Sequence, residues 1–259
     1  MYYVMSDIHG CYKEFIKMLQ LINFSENDTL YILGDVLDRG ENPLEILEYI
    51  MNHGNIILLM GNHENMMLNY FKTKNIFIKK YYKLNWIFNG GNTTLNELNK
   101  LENVNKYYTF ISNLPLYKEI TINNKTYLLV HAGIKPYKNK SLKEILKKQK
   151  RYNFFDIRSR FILNQYNFPF IVIFGHTKVK KIFESYMKID KNRKYRIKNY
   201  KIYKIEKIFQ TKKNSFCNKD LKILNLNSKI AIDCGCFGGG KLACLRLNDM
   251  KEFYIDSLI

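Results

Sequence analysis

The sequence predicts an α/β fold that begins with a βαβαβ unit. Three short apolar runs, at residues 2–5, 29–33 and 55–60, are each followed by a polar turn that contains glycine. The segments between these runs carry helical signals, so the three strands should pair in parallel. The carboxyl ends of parallel strands lie on one side of a sheet, where ligands bind. Polar residues in the three turns are therefore expected to meet at one edge.

The helical signals in this unit are a period and a pair of boundaries. Between the first two strands, apolar residues recur at helical spacing: Phe15, Met18, Leu19 and Ile22. Between the second and third strands, Asn42 and Pro43 fit the N-cap and first turn of a helix that Gly54 closes. These two segments are predicted to be the crossover helices of the parallel sheet.

The remainder of the chain adds strands of mixed direction, which gives the fold α+β character. A helical middle region precedes a hairpin predicted from residues 116–122 and 125–130, joined at Asn123 and Asn124. Further strands are predicted at residues 170–174, 229–233 and 242–247, with a glycine-rich turn between the last two. A length of 259 residues suits one large domain, predicted to cover residues 1–259.

A strongly basic segment interrupts this pattern. Residues 178–213 hold fourteen Lys or Arg against three Asp or Glu, which is more than half of the formal net charge of +19. Its apolar residues fit a twisted hairpin at 195–205 and equally a helical stripe at 202–209. We predict an insertion at about 178–226, either a solvated flap or an arm that contacts an anionic substrate.

Several classes of protein do not fit this sequence. It has no apolar stretch of 18 or more residues and no signal-peptide pattern at its start, so we expect a cytoplasmic protein without a membrane span. The five cysteines are odd in number and include no C-x-x-C pair, which argues against a disulfide framework and a zinc ribbon. Reduced, buried thiols are expected instead.

Candidate metal ligands gather at the predicted strand ends. Four of the five histidines lie there within two residues of a glycine, together with two aspartates and an asparagine: Asp7, His9, Asp35, Asn62, His63, His131 and His176. Carboxylate, imidazole and amide oxygen donors suit divalent ions such as Mn²⁺, Fe²⁺ or Zn²⁺, and the lack of thiolates argues against a structural zinc site. A carboxylate can bridge two such ions, which together activate a water molecule and neutralise phosphoryl oxygens.

Three motifs carry a family resemblance. The chain reads D-x-H-G at residues 7–10, G-D-x-x-D-R-G at 34–40 and G-N-H-E at 61–64. In this order the motifs resemble the calcineurin-like metallophosphoesterases, in the branch of phosphoprotein phosphatases that includes bacterial and phage Ser/Thr phosphatases and symmetrical diadenosine tetraphosphatases. The resemblance continues at residues 130–136, 175–177, 232–235 and 239–242. It implies a four-layer αββα sandwich around the βαβαβ core.

The resemblance also implies a set of metal ligands: Asp7 and His9 for a first ion, Asp35 as the bridge, and Asn62, His131 and His176 for a second. Two divalent ions are expected, with Mn²⁺ favoured and iron or zinc as alternatives. Direct in-line attack by the activated water, without a phosphoenzyme, follows from the same resemblance.

The resemblance also implies catalytic and phosphate-binding roles for five residues, one of which, Asn62, is also a metal ligand. His63 is the general acid and Asp38 orients it, while Arg39 and Asn62 bind the phosphate. Residues 154–161 resemble a W-I-R-x-x-F stretch of bacterial members, which makes Arg158 the second phosphate arginine. In this stretch Asp156 stands where the family often has Trp, and Arg160 is a neighbouring candidate.

The predicted function is therefore metal-dependent hydrolysis of phosphomonoesters, and the favoured class is a Ser/Thr protein phosphatase. The alternative within enzymes is a symmetrical bis(5′-nucleosyl)-tetraphosphatase, so the expected partner is a phosphorylated protein or a dinucleoside polyphosphate. A catalytically silent nucleic-acid-binding module is the alternative from another class. The net charge supports that module, whereas the intact motif set argues against it.

Overall fold

The computed structural model describes residues 1–192 and 221–259. Its strands, in chain order, are β1 (Tyr2–Met5), β2 (Thr29–Ile32), β3 (Ile56–Leu58), β4 (Tyr117–Ile122), β5 (Lys125–Val130), β6 (Ile171–Phe174), β7 (Leu224–Leu226), β8 (Lys229–Ala231), β9 (Lys241–Arg246) and β10 (Lys251–Asp256). Its helices are α1 (Tyr12–Leu21), α2 (Pro43–Met51), α3 (Asn62–Lys72), α4 (Ile76–Phe88), α5 (Asn92–Leu98), α6 (Asn105–Ser112), α7 (Leu142–Lys147), α8 (Arg151–Asp156), α9 (Ser159–Ile162) and α10 (Val179–Asn192).

The first sheet contains the predicted parallel unit at one end. Its strand order is β10-β9-β1-β2-β3, with β1, β2 and β3 parallel and with β9 antiparallel to both β1 and β10. The βαβαβ prediction is therefore confirmed. Strand β1 lies in the centre, between a neighbour from the start of the chain and one from its last twenty residues.

The second sheet has the order β4-β5-β6-β8-β7. Strands β4 and β5 form the predicted hairpin, whose turn residues Asn123 and Asn124 both have the positive φ that a tight two-residue turn requires. Strands β5, β6 and β8 are parallel. The sequence presented β8 and β9 as neighbours across a glycine-rich turn, but they belong to different sheets, so this turn carries the chain from one sheet to the other.

Alternating side chains of both sheets build three apolar layers. In β5, Leu128 and Val130 pack among the helices of one outer layer, whereas Tyr127 and Leu129 face the other sheet. Strand β2 repeats this arrangement, with Leu30 on the helical side of the first sheet. Because every strand at the centre is buried on both faces, the sequence shows continuous apolar runs there. The layers run helices, sheet, sheet, helices, which confirms the predicted αββα sandwich.

The predicted basic insertion is described only at its ends. Helix α10 occupies its first part, and residues 193–220, which include both predicted alternatives at 195–209, lie outside the described residues. Strand β7 pairs with β8 in the second sheet, so the range 178–226 also includes a core strand. Across the described residues, no helix combines the length and apolarity needed to cross a membrane. Four cysteines there are free and buried: Cys11, Cys234, Cys236 and Cys244.

Candidate metal centre and active site

The predicted ligands lie where strands of both sheets end. The loops after β1 and β2 carry Asp7, His9 and Asp35, and those after β5 and β6 carry His131 and His176. Asn62 is the first residue of α3, shortly after β3. Each ligand except Asn62 is buried. The two sheets therefore deliver their strand-end side chains to one shared centre.

Unusual backbone conformations aim these side chains. Asp7, His9, Asp35 and His176 have φ between 48° and 62°, in the left-handed region that non-glycine residues rarely adopt. Each such residue costs roughly 1 kcal/mol. Hydrogen bonds between loops hold the conformation, for example from the His9 amide to the Asp35 carbonyl at 2.9 Å. The fold thus accepts local strain to turn these side chains inward.

One carboxylate oxygen lies at the middle of the cluster. Asp35 Oδ2 is 3.4 Å from His131 Nε2, 3.7 Å from His9 Nε2 and 3.9 Å from His63 Nε2. The other oxygen, Oδ1, accepts the backbone amide of His63 at 3.0 Å, which fixes the carboxylate. Asp35 therefore belongs to two groups of donors at once, as a bridging ligand must.

The first donor group joins Asp35 to His131, His176 and Asn62. His131 Nε2 lies 3.0 Å from Asn62 Oδ1 and 3.2 Å from His176 Nδ1. His131 Nδ1 donates to the Leu33 carbonyl at 2.8 Å, which leaves Nε2 facing the cluster. Converging lone pairs on nitrogen and oxygen are the arrangement that a divalent cation stabilises.

The second donor group joins Asp35 to His9 and His63. His9 Nδ1 donates to the Leu37 carbonyl at 2.9 Å, which leaves His9 Nε2 facing Asp35. Asp7 lies against the loop of His176, where its Oδ2 accepts the Ser6 hydroxyl at 2.5 Å and the His176 amide at 2.8 Å. A side chain at Gly175 would come within 2.1 Å of the Asp7 carboxylate, so the close approach of the two loops requires glycine there.

The electrostatics of the cluster suit cation binding. Burial, then the neighbouring cations His63 and Arg39, hold the pKa of His9 well below its usual range, and burial with His131 does the same for His176. Both are therefore neutral and able to ligate. Burial opposes ionisation of Asp35, but His131 and His63 outweigh it and hold the pKa of that carboxyl well below its ordinary value. Burial opposes protonation of His131, but the Asp35 carboxylate outweighs it and raises the pKa of His131 to about 9, so a divalent ion that binds there must displace a proton.

Glu64 joins the loops that hold the ligands. Its Oε2 accepts the amides of Asp35 at 2.8 Å and Gly61 at 3.0 Å, and its Oε1 accepts those of Val36 at 3.0 Å and Leu37 at 3.3 Å. Burial and the Asp35 charge raise the pKa of Glu64 to about 7. This one side chain pins the turn after β2 to the turn after β3.

His63 and Asp38 form the pair that the motifs predict. His63 Nδ1 lies 2.6 Å from Asp38 Oδ2, which also accepts the Trp86 indole N–H at 2.8 Å, while Thr94 donates its hydroxyl to Oδ1 at 2.6 Å. Burial opposes protonation of His63, but the Asp35 and Asp38 carboxylates outweigh it and raise its pKa. Asp38 is fully buried and every contact holds it toward His63.

The structure locates both candidate phosphate arginines. The Arg39 guanidinium lies between His9 Nε2, at 2.7 Å, and His63 Nε2, at 2.9 Å. Arg158 Nη1 donates to the His176 carbonyl at 3.4 Å. Among the described residues it is Arg158 rather than Arg160 that contacts this loop. One guanidinium group thus contacts His9 and His63, and the other contacts the His176 loop, so both are available to bind an anion at the centre.

Comparison with known proteins assigns this arrangement to a family. A family model described as calcineurin-like phosphoesterase matches residues 2–209. The chain belongs to the calcineurin-like phosphoesterase family. Members of this family are hydrolases that use divalent metal ions, and the buried His and Asp donors of this phosphoesterase fit such ions.

Two curated relatives of this phosphoesterase have the same description. It is 37% identical over 138 residues to the symmetrical bis(5′-nucleosyl)-tetraphosphatase of Wigglesworthia glossinidia brevipalpis, a match that covers 52% of this chain and 45% of the relative. It is 31% identical over 136 residues to the enzyme of the same name from Proteus mirabilis, again over 52% and 45%. The chain thus spans about half the length of the curated relatives it matches.

A solved structure shares the fold of this phosphoesterase. It is that of a candidate diadenosine tetraphosphatase, with a TM-score of 0.62 and 15% sequence identity. The match covers 99% of this chain and 93% of the other. At this identity the likeness concerns the fold alone.

Proposed function

We propose that this phosphoesterase cleaves dinucleoside tetraphosphates symmetrically and releases two nucleoside diphosphates. The similarity to curated relatives with that name carries the proposal. The sequence alone placed a Ser/Thr protein phosphatase first and this activity second, and the comparisons favour the second. A polyphosphate also suits a chain with a formal net charge of +19.

In this proposal the two donor groups hold two divalent ions, with Mn²⁺ as the favoured ion. Asp7 and His9 would hold one ion, and Asn62, His131 and His176 would hold the other. Asp35 would be shared by both ions. When bound, such ions activate a water molecule and neutralise phosphoryl oxygens. The shared position of Asp35 Oδ2, within 3.4–3.9 Å of imidazole nitrogens from both groups, supports the bridging role.

The surrounding residues orient the substrate and handle the proton. Arg39 and Arg158, together with Asn62, bind the phosphoryl oxygens. Water attacks phosphorus in line, the bond to the bridging oxygen breaks, and His63 gives its Nε2 proton to the departing oxygen. Asp38 holds Nδ1–H of His63, so Nε2 faces the site. No covalent phosphoenzyme forms in this scheme.

The proposal is tested with the purified protein, Mn²⁺ and two substrates in parallel: diadenosine tetraphosphate and a phosphothreonine peptide. We expect ADP as the sole nucleotide product, because central cleavage yields two identical halves. Release of phosphate from the peptide without ADP production would instead support the protein phosphatase alternative. Equal amounts of ATP and AMP would contradict symmetrical cleavage.

A pair of histidine variants supplies the matched control. His176→Asn removes a proposed ligand and should abolish ADP production. His53→Asn changes the one histidine that lies outside the centre, where its Nδ1 contacts the Tyr49 carbonyl, and should retain activity. A cytoplasmic location remains a prediction of the sequence.

A further inference from the structure

One nitrogen of the centre lacks a partner. His176 Nδ1 faces the donor cluster, 3.2 Å from His131 Nε2, but His176 Nε2 points the other way. Among the described residues, Nε2 is the buried side-chain nitrogen or oxygen without a hydrogen-bond partner. Leaving a buried polar group unpaired costs about 1–3 kcal/mol, so such an atom calls for an explanation.

The acidic group that faces this atom is Asp156. Its Oδ1 lies 3.8 Å from His176 Nε2, slightly beyond hydrogen-bond distance. Asp156 ends α8, and that helix is anchored to the His131 loop by a hydrogen bond from the Ala132 amide to the Phe154 carbonyl at 2.8 Å. The side chain of Asp156 is 62% exposed, so it has space to turn and close the remaining gap.

The tautomer of His176 explains why a carboxylate near its Nε2 would be useful. A neutral imidazole that presents the Nδ1 lone pair to a cation must carry its proton on Nε2, and that N–H needs an acceptor. Metal-binding histidines usually donate this second N–H to a carboxylate or carbonyl, which fixes both the tautomer and the ring orientation. Asp156 offers a carboxylate at the required place.

We propose that Asp156 accepts the Nε2–H of His176 and so holds the tautomer whose Nδ1 faces the metal centre. The inference rests on the proposed role of His176 as a metal ligand. Asp156 is thus a positioning residue that acts through His176. The Trp that the resembled family often has at this position could not do this, because an indole N–H only donates. The pairing is therefore a property of this chain.

Two substitutions separate hydrogen-bond acceptance from charge. Asp156→Ala removes the acceptor, whereas Asp156→Asn removes the charge and keeps a carbonyl oxygen that can accept. Glu26→Ala, which removes an exposed carboxylate from the loop between α1 and β2, is the control. Isothermal titration calorimetry of the metal-free proteins with Mn²⁺ measures the affinity of each site without any substrate.

We expect Asp156→Ala to weaken one of the two Mn²⁺ sites by about 10–100-fold, as is typical for loss of such a partner. Asp156→Asn should lose clearly less, and Glu26→Ala should match the wild type. Wild-type affinity in Asp156→Ala would overturn the inference. Equal losses in the Ala and Asn variants would also overturn it, because they would show that charge alone matters.

A spectroscopic readout reports the proton itself. In ¹⁵N-labelled protein loaded with Zn²⁺, the His176 Nε2–H should give a slowly exchanging signal that disappears in Asp156→Ala. If the wild type binds neither Mn²⁺ nor Zn²⁺, the proposed metal centre fails and the inference with it. If the wild type and Asp156→Ala bind two ions equally well, only the role of Asp156 fails.

Discussion

At the residue scale, the His63–Asp38 pair shows how a buried carboxylate controls a proton. Asp38 receives hydrogen bonds from Trp86 and Thr94 as well as from His63, so it has no freedom to rotate. The side chain of His63 is almost fully buried, and its pKa is raised by the carboxylates of Asp35 and Asp38. A fixed imidazole with a raised pKa beside the cluster is suited to assist a departing oxygen.

The leaving group should reveal this role. We expect His63→Asn to lower kcat for phenyl phosphate by about 10²–10⁴-fold, because a phenolate is a poor leaving group that needs the proton. For 4-nitrophenyl phosphate, whose phenol is more acidic, the loss should be much smaller. Steady-state rates of the wild type and of His63→Asn on both esters measure the effect, and equal losses on the two esters would contradict general-acid catalysis.

The motifs in the sequence revealed the residues of the centre but not their supports. Candidate residues were expected at the strand ends: Asp7, His9, Asp35, Asn62, His63, His131 and His176. The structure gathers the histidines and Asn62 around Asp35, and it places Asp7 against the loop of His176. Thr94 was not expected, since it reaches Asp38 from 56 residues away through a helix with no motif of its own. Such contacts depend on how α5 packs, which spacing along the chain does not encode.

At the scale of elements, Glu64 links two strand-end turns through four backbone amides. These amides belong to loops and have no partners in the sheet, so the Glu64 carboxylate supplies the hydrogen-bond acceptors that a neighbouring strand would otherwise provide. Glu64 belongs to the G-N-H-E motif, and the structure shows its contacts with both turns. Together with the hydrogen bond from the His63 amide to Asp35, this side chain holds Asp35 and Asn62 in position relative to each other.

Glu64→Gln should therefore destabilise the protein. Glutamine can offer its oxygen to only one pair of amides, and its NH₂ group would then face the other two donors. We expect a loss of about 2–5 kcal/mol in the free energy of unfolding, from two buried amides left unpaired. Urea denaturation measures this loss, and Glu26→Ala provides the surface control. A stability within 0.5 kcal/mol, roughly the scale of a neutral surface change, would argue against the linking role.

The sequence predicted the central strands better than the peripheral ones. Strands β1, β5 and β6 are buried on both faces, and their apolar runs gave boundaries within a residue of those observed. Strand β10 at the edge was missed, because its apolar part is only Phe253, Tyr254 and Ile255, between charged residues and beside a short turn. The partition of β8 and β9 between two sheets was also missed, since local patterns do not specify which sheet a strand joins.

At the scale of the whole molecule, the proposed metal centre lies between two sheets. The first sheet supplies Asp7, His9, Asp35 and Asn62, and the second supplies His131 and His176. Neither sheet alone holds a complete donor set. Ions that bind only the assembled pair stabilise the folded state by mass action.

Divalent ions should consequently raise the melting temperature. At a free ion concentration 100 times the dissociation constant, one site adds about 2.7 kcal/mol, or roughly 5–10 °C for a chain of this size. Thermal denaturation with EDTA and with increasing Mn²⁺ measures the shift. His53→Asn should respond as the wild type does, whereas a full shift in His176→Asn would show that His176 is not a ligand.

The central place of β1 in its sheet has a consequence for how the protein is made. Residues 2–5 are synthesised well before their antiparallel partner at residues 241–246. At about 5–20 residues per second, the interval between the two strands takes roughly 10–50 seconds of synthesis. During this interval the edge of β1 that β9 later covers has unpaired backbone groups, which are a template for pairing with other chains.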